Sequence, residues 1–149
     1  MLGKPLAEPE GNPLRAKEPD RCRRHVVSKP DIIRFFNALR PAERLVPQLM
    51  YASVLRLSDA LNLRIKDLNF ADEQIEIAST KHDHFRIVPF PKSIHEKVRR
   101  QVESAAVLHR ADLQENPNGV PVPHAYARKC PSAPRDFRWM WLFPSESLS

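Results

Sequence analysis

The amino-acid sequence predicts an α+β fold, mainly helical with one small antiparallel β-sheet. Apolar residues recur at helical spacing from Ile32 to Leu63 and again from Ile94 to Leu108, while the stretch between them alternates apolar and polar side chains. Two serine boxes, Ser28-Lys29-Pro30-Asp31 and Ser93-Ile94-His95-Glu96, mark helix starts on either side of that alternation. With 149 residues and 42% hydrophobic content, the chain suits one domain or part of a larger one, with a real core.

Taken in order, Met1 to Val27 reads as a basic, proline-rich linker. Pro5, Pro9, Pro13 and Pro19 recur with charges between them and no apolar period. Arg15, Lys17, Arg21, Arg23 and Arg24 suit either a solvated tether or an arm that tracks a phosphate backbone. Order is expected from Ser28, where a capping-box-like start with Pro in the first turn leads into the stripe Ile32, Phe35, Phe36 and Leu39. Pro41 opens a further helix that buries Leu45, Val46, Leu49 and Met50. Pro47 then falls inside it and deletes the bond to the Glu43 carbonyl, at about 3 kcal/mol or a kink.

Leu49 to Asn69 is the stretch around which the chain is organised. The helix is expected to run to about Tyr51, and Ser58 to cap a short helix beginning at Asp59. Arg56 thus falls on the link between two helices, among Leu55, Leu57, Leu61 and Leu63, all expected to be buried. An always-charged fork held at a core rim suits a phosphate or carboxylate. A structural pairing with Asp59 or Asp67 remains open on local sequence.

Gln74 to Ala78 and Phe85 to Pro89 read as a hairpin, with Lys81 on the polar connection Ser79 to His84. His82-Asp83-His84 lacks the further ligands of a closed metal site, so no metal is expected there. The helix from Ser93 should bury Ile94, Val98, Val102, Ala105 and Leu108. From Asn116 onward prolines break up a segment carrying His124, Tyr126, Arg128, Lys129, Trp139 and Trp141. Aromatics among cations suit stacking on exposed bases. The spacing of Trp139, Trp141 and Phe143 suggests instead one buried strand face, which leaves His124 and the cations around it for function.

A net charge of +6 favours polyanionic partners, nucleic acid first among them. Cys22 and Cys130 fit free thiols in a reducing cytosol. No run of about 18 apolar residues offers a membrane span. Glycine-rich phosphate loops, HExxH, GxSxG and paired zinc motifs are all missing, so no cofactor or metal is expected.

At this point the residues carry a family resemblance. Tyr51-Ala52-Ser53-Val54-Leu55-Arg56-Leu57-Ser58-Asp59-Ala60-Leu61-Asn62-Leu63, followed by Lys66-Asp67, resembles the first arginine motif of tyrosine recombinases (the phage integrase family). The hairpin with Lys81 before Arg86-Ile87-Val88-Pro89 resembles their lysine-bearing β-turn. Val107 to Leu113, Pro123 to Lys129 and Trp139 to Ser145 are similar to the extra segment of integron integrases. The resemblance covers nearly the whole chain, from about Arg15 onward.

The resemblance implies metal-free DNA strand transfer within a partial recombinase catalytic domain. Arg56 would grip the scissile phosphate. Lys81 would protonate the 5′-oxygen leaving group. A tyrosine would hold the covalent 3′-phosphotyrosyl intermediate. Arg64, Lys66 and Arg86 beside these motifs, and His124, Arg128 and Lys129 in the extra segment at about 105–143, are expected DNA contacts. The expected domain plan is a linker over 1–27 and the N-terminal part of the catalytic domain over 28–149. Expected partners are DNA, including folded single strands with extruded bases, and intact integrase protomers, in the cytoplasm and without a membrane.

The family pattern continues with His-x-x-Arg, a further His or Trp and the nucleophilic tyrosine, none of which the 149 residues contain. Tyr51 and Tyr126 lie in other motifs. The expectation is therefore a truncated chain that does not cleave DNA alone. Its alternatives are a stand-alone DNA-binding or interfering module and a truncated product without function. Val54 stands where the motif has Gly before Leu-Arg, and His82 and Asp83 replace hairpin glycines; a Cβ at position 54 is expected to disturb the turn that aims Arg56.

Overall fold

A computed structural model describes residues 26–78, 85–116 and 118–144. Most of the expected linker, and the hairpin tip with Lys81, His82, Asp83 and His84, lie outside the described residues. Five helices and a three-stranded antiparallel sheet make up the described chain, apart from short 3-10 turns, in line with the expected fold class.

Helix α1 spans Lys29–Ala38. Ser28 caps it as expected, accepting the Asp31 N–H at 3.4 Å, with Pro in the first turn. Its stripe is not buried, however: Phe35 is 53% exposed, and Ile32 and Phe36 only edge an open apolar hollow of about 400 Å³ against Pro47, Met50, Tyr51 and Leu55.

Pro41–Glu43 is a separate 3-10 turn, and helix α2 spans Leu45–Ser53. Pro47 therefore sits in the first turn of α2. The first intrahelical donor is Gln48, whose N–H reaches the Arg44 carbonyl at 3.1 Å. The N–H that Pro47 lacks would have had no helical partner, so the expected kink does not arise. Leu49 is fully buried, with Leu45, Val46 and Met50 packed against the core.

Val54 ends α2 in the left-handed region, φ 53° and ψ 43°. The Leu55 N–H closes back on the Met50 carbonyl at 3.0 Å, the six-to-one bond of a Schellman ending. This is the conformation in which glycine is free of steric penalty and a β-branched residue is not. Helix α3 spans Leu57–Leu61, so the expected Ser58 cap is displaced: Arg56 is the N-cap. Leu55 and Leu63 are buried as expected, but Leu57 and Leu61 face outward.

Strands β1 (Leu68–Asn69), β2 (Gln74–Ala78) and β3 (Phe85–Pro89) follow in spatial order β1-β2-β3. The β2 and β3 bounds are those the alternation predicts. β1 is an addition, paired through Leu68 with Ile75 and Asn69 with Gln74. Ile75, Ile77 and Val88 face the core, while Phe85 and Ile87 on the outer strand β3 are exposed. Helix α4 spans Lys92–Glu115 with Pro91 at its cap, two residues ahead of the serine expected there. It buries Ile94, Val98, Ala105 and His109; Leu108, expected inside, is 37% exposed.

Helix α5 is short, His124–Lys129. Before it, Gly119 at φ 73° leaves room for the Pro134 carbonyl, which an added Cβ would meet at 2.1 Å. That carbonyl accepts the Val120 N–H at 2.8 Å. The final described residues return to the core. Leu142 N–H donates to Leu63 O at 2.8 Å, Ile65 N–H to Met140 O at 3.0 Å, and Arg64 pairs antiparallel with Trp141. Met140 and Leu142 are thereby the buried pair, and Trp139 and Trp141 lie half-buried on the opposite face. The tryptophans do share a face, as their spacing requires, but it is not the core face: the bridge to Arg64 fixes the opposite parity.

Relief of the left-handed Val54 gives a direct test. Val54→Gly should stabilise the fold by about 1–2 kcal/mol, the cost of left-handed backbone for a residue with a Cβ. The urea midpoint should rise at unchanged m-value, and an unchanged or lower midpoint contradicts the assignment.

Candidate nucleic-acid interface

Arg56 projects from the junction of α2 and α3. Its backbone is extended, φ −76° and ψ 158°, and its neighbour Leu55 is buried, so the main chain is anchored on the core side while the guanidinium stays exposed. Its N–H donates to Asp59 Oδ2 at 3.3 Å. The same carboxylate oxygen accepts Arg86 Nη2 at 2.7 Å, from β3. Asp67 is also taken: it accepts the Arg64 N–H at 2.9 Å and Lys66 Nζ at 2.5 Å. Neither carboxylate therefore pairs with the Arg56 side chain, which makes no ion pair among the described residues. Of the two readings left open by the sequence, the structural pairing is the one this geometry does not contain.

Asp59 is a residue that sequence reasoning missed in this role. It stands three positions after the true cap, where a carboxylate turns back on the cap N–H. Placing the cap at Ser58 hid that spacing. Asp59 ties the arginine-bearing turn to the outer strand, and so brings Arg56 and Arg86 to one carboxylate.

A second cluster forms around Arg64. Its Nη1 donates to the Trp139 carbonyl at 2.6 Å, and its guanidinium carbon lies 4.6 Å from the Trp141 ring centre and 5.3 Å from that of Trp139. Burial lowers its pKa, against the opposing pull of the nearby Asp67 charge. Arg64, expected to reach DNA, has its donor fork turned into this aromatic cluster. Lys66 Nζ lies 5.0 Å from the Trp139 ring centre. Tyr126, on α5, stacks tilted against Trp139 at 4.9 Å. Nothing in the sequence around Arg64 points to a tryptophan pair 75 positions away.

His124, Arg128 and Lys129 are exposed on α5. Arg138 is not a comparable free cation: it closes on Asp136 with contacts of 2.9 Å and 2.6 Å, and holds that carboxyl below the ordinary carboxylate range. Around these motifs the described surface carries Arg56, whose side chain makes no ion pair there, Arg86 and Lys66, each paired with one carboxylate, and the α5 group joined to Trp139 through Tyr126. Such a set can neutralise several phosphates, and the half-exposed rings offer faces to bases. Lys81 lies outside the described residues. Among the described residues no three potential ligands stand close enough to hold a metal, and no helix is long and apolar enough to cross a membrane.

Residues 26–146 match the phage integrase family. Over 125 residues the chain is 34% identical to an integrase/recombinase of Escherichia coli and, to the same degree, to one of Pseudomonas aeruginosa. Each alignment covers 83% of this chain and 37% of the relative, so the chain spans about 37% of the length of these curated relatives.

The tie through Asp59 is testable by a double-mutant cycle. Asp59→Asn and Arg86→Gln should each lower stability. Their coupling in denaturant unfolding should be about 0.5–1 kcal/mol, the range for a partly exposed pair. Strict additivity would show that the two side chains do not interact.

Proposed function

The chain belongs to the phage integrase family, and on that premise we propose that it is the N-terminal part of a tyrosine-recombinase catalytic domain that binds DNA at recombination sites of the integron type. The observation that carries this reading is the Arg56 guanidinium. It is exposed at a turn anchored on the core side, while both nearby carboxylates are occupied by other cations.

In this reading Arg56 binds the non-bridging oxygens of the scissile phosphate, where a fixed, permanently charged fork is most effective as negative charge develops. Lys81 is the proposed acid for the 5′-oxygen leaving group. Arg86, Lys66, Arg128 and Lys129 contribute phosphate contacts, and His124 with the neighbouring aromatics meets bases extruded from a folded single strand. Residues 1–27 form the linker, 28–149 the catalytic part, and about 105–143 the extra segment. The proposed setting is the cytoplasm, with DNA and intact integrase protomers as partners.

In this proposal the same chain, acting alone, does not complete strand transfer, and both of its tyrosines are read as packing residues. Tyr51 packs edge-on against Phe36 at 6.1 Å, and Tyr126 is stacked on Trp139. A second reading, a stand-alone module that occupies recombination sites, is favoured by the exposed cations of α5 beside half-exposed tryptophans.

Both readings share a binding test. Arg56→Ala should weaken binding and flatten the plot of log K against log salt by about 0.9 on duplex DNA, one phosphate contact's share. An unchanged slope would remove Arg56 from the phosphate. On a suicide recombination substrate the 149-residue chain should form no covalent adduct; any adduct would overturn this account, and its loss or survival in the Tyr51→Phe/Tyr126→Phe double variant would tell a tyrosine nucleophile from another residue.

A further inference from the structure

Arg64 is engaged by the tryptophan pair through both its hydrogen bonding and its cationic face. One donor is spent on the Trp139 carbonyl at 2.6 Å, and the guanidinium lies by two indole rings at 4.6 and 5.3 Å. Its own backbone N–H is held by Asp67 at 2.9 Å, and the strand bridge to Trp141 starts at the same residue. A bidentate phosphate contact would draw on the same fork that donates to the Trp139 carbonyl, so it would compete with that hydrogen bond and with the ring contacts that orient the guanidinium.

The ring it holds passes the constraint on. Trp139 lies in the 3-10 turn Phe137–Trp139, and its indole is the surface against which Tyr126 stacks at 4.9 Å. Tyr126 sits in the middle of α5, a six-residue helix that carries His124, Arg128 and Lys129 and has no buried residue of its own. A helix this short gains little from its own hydrogen bonds, so its orientation depends on packing. The aromatic contact with Trp139 is one of its few side-chain anchors.

We infer that Arg64 is a positioning residue: by fixing Trp139 and Trp141 it sets the placement of α5, and through it the choice between folded strands with extruded bases and plain duplex. This rests on the proposed reading that the extra segment meets extruded bases, and it replaces a phosphate contact by Arg64 with a selectivity role. Lysine does not substitute, because a compact ammonium cannot lie flat on two rings and fork onto a carbonyl together.

The test uses the 149-residue chain, a DNA hairpin with one extruded base, and the same hairpin fully paired. The wild type should prefer the first. Arg64→Lys should reduce that preference roughly three- to tenfold, the worth of an aromatic–cation contact. The salt slope on the paired hairpin should stay unchanged in both Arg64→Lys and Arg64→Ala. A slope that falls by about 0.9 in Arg64→Ala would make Arg64 a phosphate contact and overturn the inference. So would full preference in Arg64→Lys. The chain has two tryptophans, both in this cluster, so their emission reports on it alone. A red shift in Arg64→Lys with unaltered far-ultraviolet circular dichroism supports the positioning role, and unaltered emission overturns it. If the wild type shows no preference between the hairpins, the extruded-base reading fails, and the emission result still decides whether Arg64 holds the cluster. Should Arg64→Ala not fold, the slope comparison is made between the wild type and Arg64→Gln.

Discussion

Two backbone hydrogen bonds, Leu142 N–H to Leu63 O and Ile65 N–H to Met140 O, join parts of the chain that are far apart in sequence. Because side chains alternate along an extended pair, this one bridge decides three things together. It sends Leu142 and Met140 inward, leaves both tryptophans on the outer face, and lays the Arg64 side chain between them. Gln101 of α4 adds a clasp from behind, with Nε2 donating to the Leu142 carbonyl at 2.9 Å. The bridge, with this clasp and the Arg64 bond to the Trp139 carbonyl, fixes the turns after α5 against the arginine-bearing half of the chain.

The Arg56 turn is built on a different balance. Leu55 closes the end of α2 and enters the core, while Asp59 starts α3 and collects Arg86 from the sheet. The guanidinium itself takes no part, which keeps the charge available. The geometry needs a left-handed residue just before Leu55, and the chain supplies Val54 at φ 53°. The turn forms despite that residue, held by burial of Leu55 on one side and the capped helix on the other. The expected disturbance therefore appears as backbone strain in a turn that still forms, rather than as a lost turn.

Patterns of one period and one partner were legible in the sequence. The hairpin strands at Gln74–Ala78 and Phe85–Pro89 and the Ser28 cap depend on nearest neighbours, and they stand where alternation and capping chemistry put them. Errors arose where two local signals competed or where a distant partner decided. Ser58 is the better capping residue by type, yet Arg56 holds the position, because the Schellman closure at Leu55 leaves the chain extended one step later. Pro47 looked like a breaker because the helix was begun at Pro41; beginning it at Leu45 removes the conflict. The tryptophan parity could not be read at all, since Arg64 sets it from across the fold. For the candidate site, the position of Arg56 on the link between two helices was legible from local pattern. Asp59 and the aromatic seat of Arg64 were not.

The outer strand β3 carries a consequence of another kind. It is the last strand of a three-stranded order, and Phe85 and Ile87 on it are exposed. An open edge with apolar side chains is a template for pairing with a second chain and for aggregation. Arg86 sits between those two residues, and Pro89 ends the strand with no donor to offer. The same arginine that ties the sheet to Asp59 thus acts as a gatekeeper, placing charge in the middle of an exposed apolar edge stretch. Solubility and site geometry meet in one side chain, and a change that improves either is bound to be felt by the other.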